Sequence, residues 1–155
     1  MGMTLSLFSL DMKTARDFGL GPEFVPSADG EELLGCQGLD KAWHVVHFLL
    51  TGTAGPTSDP LGLLYAAGVR LDDVSEHVAV VSADQVRVFR DALRDVSDDE
   101  LRLRFDLETM VAADVYRADL LVDEDWDYVS QGIPELRDFS EACTGRGCGA
   151  IVVIC

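Results

Sequence analysis

The stretch from Leu39 to Gly52, LDKAWHVVHFLLTG, limits what this chain can fold into more than any other. Residues 40–51 are compatible with a helix that opens on an acid and stops at a glycine. Nearly every position after Lys41 is apolar, so the pattern has no wet face, and a helix apolar all round has to be buried. Two histidines interrupt it, His44 and His47, spaced one helical turn apart. A buried imidazole needs a hydrogen-bond partner. The pattern therefore predicts a central packing helix, with His47 in the core bonded to a carbonyl or carboxylate and His44 nearer the surface.

The layers around that helix follow from shorter signals. Residues 3–10 read as a strand that starts the domain, and 77–81 (HVAVV) as a second strand. The terminal CGAIVVIC forms a third. Between them the chain predicts a short helix at 11–18, a loop at 21–38 with a helical turn near 31–34, a turn-rich linker at 52–60 and a short helix at 61–67. Ser82-x-x-Gln85 is a capping box opening an amphipathic helix whose stripe is Val86, Phe89, Leu93 and Val96. Ser97-x-x-Glu100 is a second box, with acids in the first turn that suit the helix dipole. Residues 108–116 continue helical, 119–127 form an acidic exposed loop, and a last helix from 127 to 143 bends near Gly132-Ile133-Pro134. The expected fold is α+β: one compact domain over 1–155, with a small, mostly antiparallel sheet that includes the N- and C-terminal strands and is covered by several helices.

Charge excludes more than it assigns. The chain has 28 acidic against 12 basic residues, a net charge of −16. Residues 71–155 hold twenty acids against eight arginines, so most of the excess lies in the second half. Phosphate backbones and anionic membranes both require clustered Lys and Arg, so neither nucleic acid nor a membrane surface is expected as partner. A basic protein partner remains, or simply a solvated acidic surface that keeps the chain soluble. Nothing in the first ten residues reads as a secretion signal, and no apolar run approaches the roughly 20 residues of a bilayer span. The expected compartment is the cytoplasm, with Cys36, Cys143, Cys148 and Cys155 as free thiols, Cys148 and Cys155 as core filler.

The chemical motifs are incomplete. His44-x-x-His47 has the spacing of two metal ligands, yet the only other histidine is His77 and the glutamate of H-E-x-x-H is missing. Asp123, Asp125 and Asp127 match positions one, three and five of a calcium loop, but Tyr128 stands where glycine is needed and Pro134 where the bidentate glutamate belongs. Gly52 and Gly55 follow a helix, and Gly145, Gly147 and Gly149 precede a strand, so neither cluster cradles a phosphate. No G-x-S-x-G or C-x-x-C occurs. The sequence assigns no catalytic residue, no cofactor and no metal, and leans away from an enzyme.

The string Leu39-Asp40-Lys41-Ala42-Trp43, followed by His47-Phe48-Leu49-Leu50-Thr51-Gly52, resembles the signature helix of the YfbM-like family, bacterial proteins of unknown function. Met1-Gly2-Met3, Asp59-Pro60-Leu61, Phe105-Asp106 with Met110, and Tyr116 fit the same family. Members often carry proline after that tyrosine; Arg117 stands here, which predicts a different turn. The resemblance implies a compact α+β bacterial domain and supplies no catalytic residue.

Two functional readings follow. The first is a non-enzymatic, immunity-like binding protein whose acidic second half meets a basic protein partner. The alternative is a small-molecule or metal site, extending to an enzyme, built around Trp43, His47, Thr51 and Tyr116. Its motivation is a titratable residue on a helix otherwise suited to burial. The oligomeric state is left open by both.

Overall fold

Both chain ends alternate apolar and small residues, and the two strands they form pair with each other. A computed structural model of the protein describes residues 2–10, 19, 34–66, 69–70 and 77–155. Strand β1 (Leu5–Ser9) lies antiparallel to the last strand, with Leu5 opposite Ile154 and Ser9 opposite Ala150. A short β2 (Gly35–Cys36) pairs with β1, and β3 (Val69–Arg70) pairs with β4 (His77–Val81). The last strand, β5 (Ala150–Ile154), takes β4 on its other side, giving the antiparallel order β2-β1-β5-β4-β3. Alternate residues of β1 and β5 are buried, so one face of the sheet is covered, as period-two patterning requires. The predicted α+β architecture, with adjacent terminal strands, is the one observed. β2 falls inside the stretch expected to be loop: two residues are too short a run to carry a strand pattern.

The covering layer starts with a 3-10 turn, Asp40–Ala42, that leads into α1 (Trp43–Thr51). Every residue from Trp43 to Leu50 is buried. The helix ends at Gly52, whose φ of 74° is the left-handed conformation and whose N–H returns to the Phe48 carbonyl. Helix α2 (Ala83–Arg94) has both bonds of its capping box, Ser82 N–H to Gln85 Oε1 and Gln85 N–H to Ser82 Oγ. Its predicted stripe of Val86, Phe89 and Leu93, extended by Val96, is buried. Helix α3 (Asp98–Arg104) has the second box complete, and Asp106 caps α4 (Leu107–Ala112) by accepting the Thr109 N–H at 2.9 Å.

Here the helical reading of 108–116 is corrected. α4 stops at Ala112, and Asp114 (φ 56°) and Arg117 (φ 65°) turn the chain, leaving Tyr116 outside any helix. Proline is locked near φ −65°, so the turn at Arg117 is one that the proline of the resembled family could not make. The acidic segment 119–127 is also corrected. It is not an open loop but two 3-10 turns, Ala118–Leu120 and Asp123–Asp125, followed by α5 (Trp126–Ser130), with Asp125 accepting the Val122 N–H at 2.9 Å. Similarly, the helix expected at 61–67 is a single 3-10 turn, Leu63–Tyr65.

Helix α6 (Ile133–Arg146) begins after the expected bend, with Pro134 in its first turn, where a missing N–H costs nothing. Gly147, at φ 63°, closes it in a Schellman arrangement: Cys148 N–H bonds the Cys143 carbonyl and Gly147 N–H bonds Thr144. Cys148 is buried as expected, whereas Cys155 is exposed because the strand ends one residue before it. The predicted helix at 11–18 lies outside the described residues, as does nearly all of the turn at 31–34. Among the described residues, no helix is long and apolar enough to cross a membrane.

Candidate functional site

The chemistry of α1 is decided by where its two imidazoles send their protons. His47 is fully buried, and its Nε2 lies 2.9 Å from the Gly55 carbonyl oxygen. A carbonyl can only accept, so Nε2 carries the hydrogen and Nδ1 is a bare acceptor, without a partner among the described residues. His44 repeats the arrangement one turn earlier: Nε2 donates to the Ala54 carbonyl at 2.6 Å, and Nδ1 accepts the Tyr116 N–H at 2.9 Å. Residues following Gly52 thus fold back along the helix and are held at consecutive carbonyls. That return, together with Tyr116, buries His44, which the sequence placed near the surface. Burial holds His47 below the ordinary imidazole value; the Gly55 hydrogen bond opposes this, His44 adds to it, and Asp59 opposes it.

Around the imidazoles the rings interlock. Trp43 stacks on His44 with centroids 4.8 Å apart. Tyr65 stands edge-on to Trp43, His44 and His47 at 5.8, 6.1 and 5.7 Å. Tyr65 is therefore the hub of the cluster, and sequence reasoning missed it. The available signal was Leu63-Leu64-Tyr65, an apolar run following a polar linker. The four residues singled out from sequence are only partly brought together. Trp43 and His47 share the ring cluster, Tyr116 joins it through its backbone, and its hydroxyl accepts the Met3 N–H at 2.8 Å. Thr51 ties the helix exit, donating to the His47 carbonyl at 2.8 Å. Trp43 and His47 are sealed in the core and border none of the described cavities, whereas Thr51 borders an open groove of about 490 Å³ with Leu50, Leu103, Arg104 and Asp106. Both Nε2 atoms being donors to carbonyls, the histidine pair faces no shared ligand position. Among the described residues no cluster of His, Cys, Asp or Glu has an arrangement fit for a metal. The four cysteines are free thiols, and burial, followed by Glu135, pushes that of Cys36 up to about 12, away from nucleophilic use at neutral pH.

Past the histidine-held carbonyls, residues 57–66 close on themselves. Thr57 N–H bonds the Tyr65 carbonyl, Asp59 N–H bonds Thr57 Oγ1, and Leu61 N–H bonds Asp59 Oδ1 at 2.8 Å. Position 62 has to be glycine: a Cβ there would come within 2.6 Å of the Thr57 methyl and 3.0 Å of the Asp59 carbonyl oxygen. This loop forms one wall of a cavity of about 240 Å³, and Val81 with the first turns of α2 forms the other. No sequence motif announced it, because its walls come from segments some twenty residues apart that only the tertiary fold joins.

The acidic second half has a different character. Residues 95–127 hold twelve acids against three arginines, a net −9. Two of those arginines, Arg102 and Arg104, and the neighbouring Arg94 and Arg137 are engaged with the fold. Arg102 NH2 sits 3.0 and 2.8 Å from the two oxygens of Asp123 and lies over the rings of Phe105 and Trp126. Arg104 donates to the Leu49 carbonyl, Arg137 to those of Leu93 and Val96 and to Asp98, and Arg94 to both oxygens of Glu141. Asp99, Glu108, Asp114, Asp119, Glu124 and Asp127 are exposed and make no ion pair among the described residues. Among the described residues, four of the six large apolar side chains left exposed lie in the same stretch: Leu103, at 85%, Val111, Leu120 and Val122.

Residues 1–153 match the family described as a domain of unknown function, DUF1877. Among solved structures, the protein of unknown function YfbM from Escherichia coli is similar, with a TM-score of 0.68 and 18% identity, covering 98% of this chain and 99% of that one. At that identity the likeness is one of fold. No curated protein matches.

Proposed function

Because the chain belongs to the DUF1877 family, whose YfbM-like fold comes with no assigned chemistry, we propose that it is a non-enzymatic binding protein whose acidic 95–127 stretch receives a basic protein partner. One observation carries the reading: among the described residues, seven carboxylates whose side chains have no partner and four of the six exposed large apolar side chains fall within the same 33 residues, 95–127. Protein interfaces combine a few desolvated apolar anchors with a polar rim, and opposite potentials steer the encounter. Leu103 stands beside the groove between the end of α1 and the α3–α4 junction, where a partner's apolar side chain could enter flanked by Asp106. Arg104 and Arg137, which would neutralise the surface, are instead bonded to backbone carbonyls, and Arg102 buttresses aromatic rings.

The alternative, a ligand site around Trp43, His47 and Tyr116, has weaker support, since the imidazole protons of that cluster are held by Ala54 and Gly55. Affinity capture at low and at high salt tests the interface. A basic protein retained at low salt and released at high salt is the expected result. Capture of acidic proteins only, or capture indifferent to salt, would remove the proposal.

A further inference from the structure

The cavity between the 57–66 loop and α2 is independent of the interface proposed above and has a chemistry of its own. At about 240 Å³ it is smaller than the roughly 300–1,000 Å³ of sites for drug-sized molecules, so its occupant is small. The lining is apolar where it is deepest: Leu63, Val81 and Phe89 are all buried. The mouth is acidic, since Asp59 and Asp84 both line the cavity and both are exposed. Among the described residues no lysine, arginine or histidine lines it. Asp59 has one oxygen occupied by the Leu61 N–H, and the other makes no hydrogen bond among the described residues. Asp84 pairs only with Arg87 at 3.4 Å, an exposed contact of the kind that exchanges at little cost.

An apolar floor beneath two carboxylates selects against anions and offers a neutral molecule at most a hydrogen bond at the mouth, without the charge attraction a cation gains. The geometry points to a binding site for a small primary ammonium compound with an aliphatic or aryl tail. The tail seats against Leu63, Val81 and Phe89, and the ammonium stays at the mouth with Asp59 and Asp84. A partner's lysine has the opposite polarity, because its charge would enter first and meet the apolar floor; the occupant is a free amine. The site also gives the buried histidines a task. His44 and His47 fix residues 54–55, immediately before the wall that carries Asp59, so they act as positioning residues for the loop.

Amide NMR of isotope-labelled protein, titrated separately with phenethylammonium, phenylethanol and phenylpropionate, tests the assignment. The ammonium should shift amides of residues 57–66 and 82–89 saturably, bind roughly tenfold more tightly than the alcohol, and lose that advantage as salt rises, while the carboxylate should not bind. Asp59→Asn and Asp84→Asn should each weaken the ammonium roughly threefold and leave the alcohol unchanged. Asparagine keeps the oxygen that accepts the Leu61 N–H, and the amide spectrum of the free variant reports whether the loop is intact. Equal binding of amine and alcohol, shifts confined to other residues, or no saturable shift at millimolar ligand would overturn the proposal.

Discussion

Along residues 43–55, polar side chains are few and bonded inward; along 95–127 they are many, and seven of the twelve carboxylates bond to nothing among the described residues. In the first region His44, His47 and Thr51 each bond a backbone carbonyl, and Tyr65, from beyond it, packs its ring against three others. In the second, Ser97 and Asp106 cap short helices, Arg102 and Arg104 brace the layer, and most remaining carboxylates have no structural role. The contrast separates two uses of unusual residues. Histidines on an apolar helix look like chemistry but hold a loop in place, whereas a run of acids is left largely without internal partners.

Substitutions should divide along the same line. The largest effect belongs to His47→Ala, which strands the Gly55 carbonyl and opens a cavity in the ring cluster; a loss of about 3 kcal/mol is expected by denaturant unfolding. A loss under about 1 kcal/mol would show that the histidine clamp is incidental. Next comes pH. Because burial lowers the folded-state value of His47, its contribution is complete above the unfolded value of 6.5 and is lost as pH falls below it. Stability should decline by up to about 1.4 kcal/mol per pH unit below 6.5, before carboxylates titrate, and His47→Gln should remove most of that slope. Smaller still, Ser97→Ala deletes one bond of the α3 capping box and should cost about 1 kcal/mol. At the bottom of the scale, neutralising Asp99, Glu108, Asp119 and Glu124 together should leave the melting temperature nearly unchanged, since relief of like-charge repulsion offsets the lost dipole contribution of Asp99 and Glu108 in their helices' first turns. A cooperative loss of structure in that variant would erase the distinction between the two regions.

What could be seen in the sequence was whatever local chemistry decides. Both capping boxes formed as read, because Ser82 with Gln85, and Ser97 with Glu100, need only each other's backbone. The buried helix was legible for the same reason: an all-apolar pattern has one destination. The features that escaped depend on distant returns of the chain. His44 is buried only because Ala54 and the Tyr116 backbone come back to it. Tyr65 is a hub only because a 3-10 turn brings it beneath α1, and the acidic 119–127 segment becomes turn and helix because its own side chains, such as Asp125 on Val122, cap it. Of the residues marked as candidate site, Trp43 and His47 are buried as the apolar pattern requires; what the pattern could not display is the Gly55 carbonyl that holds His47 and the Tyr65 ring that meets both. The 240 Å³ cavity was invisible altogether, since no single segment contains its walls.

The claim that the acidic stretch is the working surface is tested most directly by one paired measurement: affinity capture with the wild-type protein and with the Asp99→Asn, Glu108→Gln, Asp119→Asn, Glu124→Gln variant, at matched low salt and with unfolding curves recorded on both. The account predicts that a basic partner is retained by the wild type and lost by the variant while the two unfold at the same temperature. Equal capture by two equally stable proteins would contradict it.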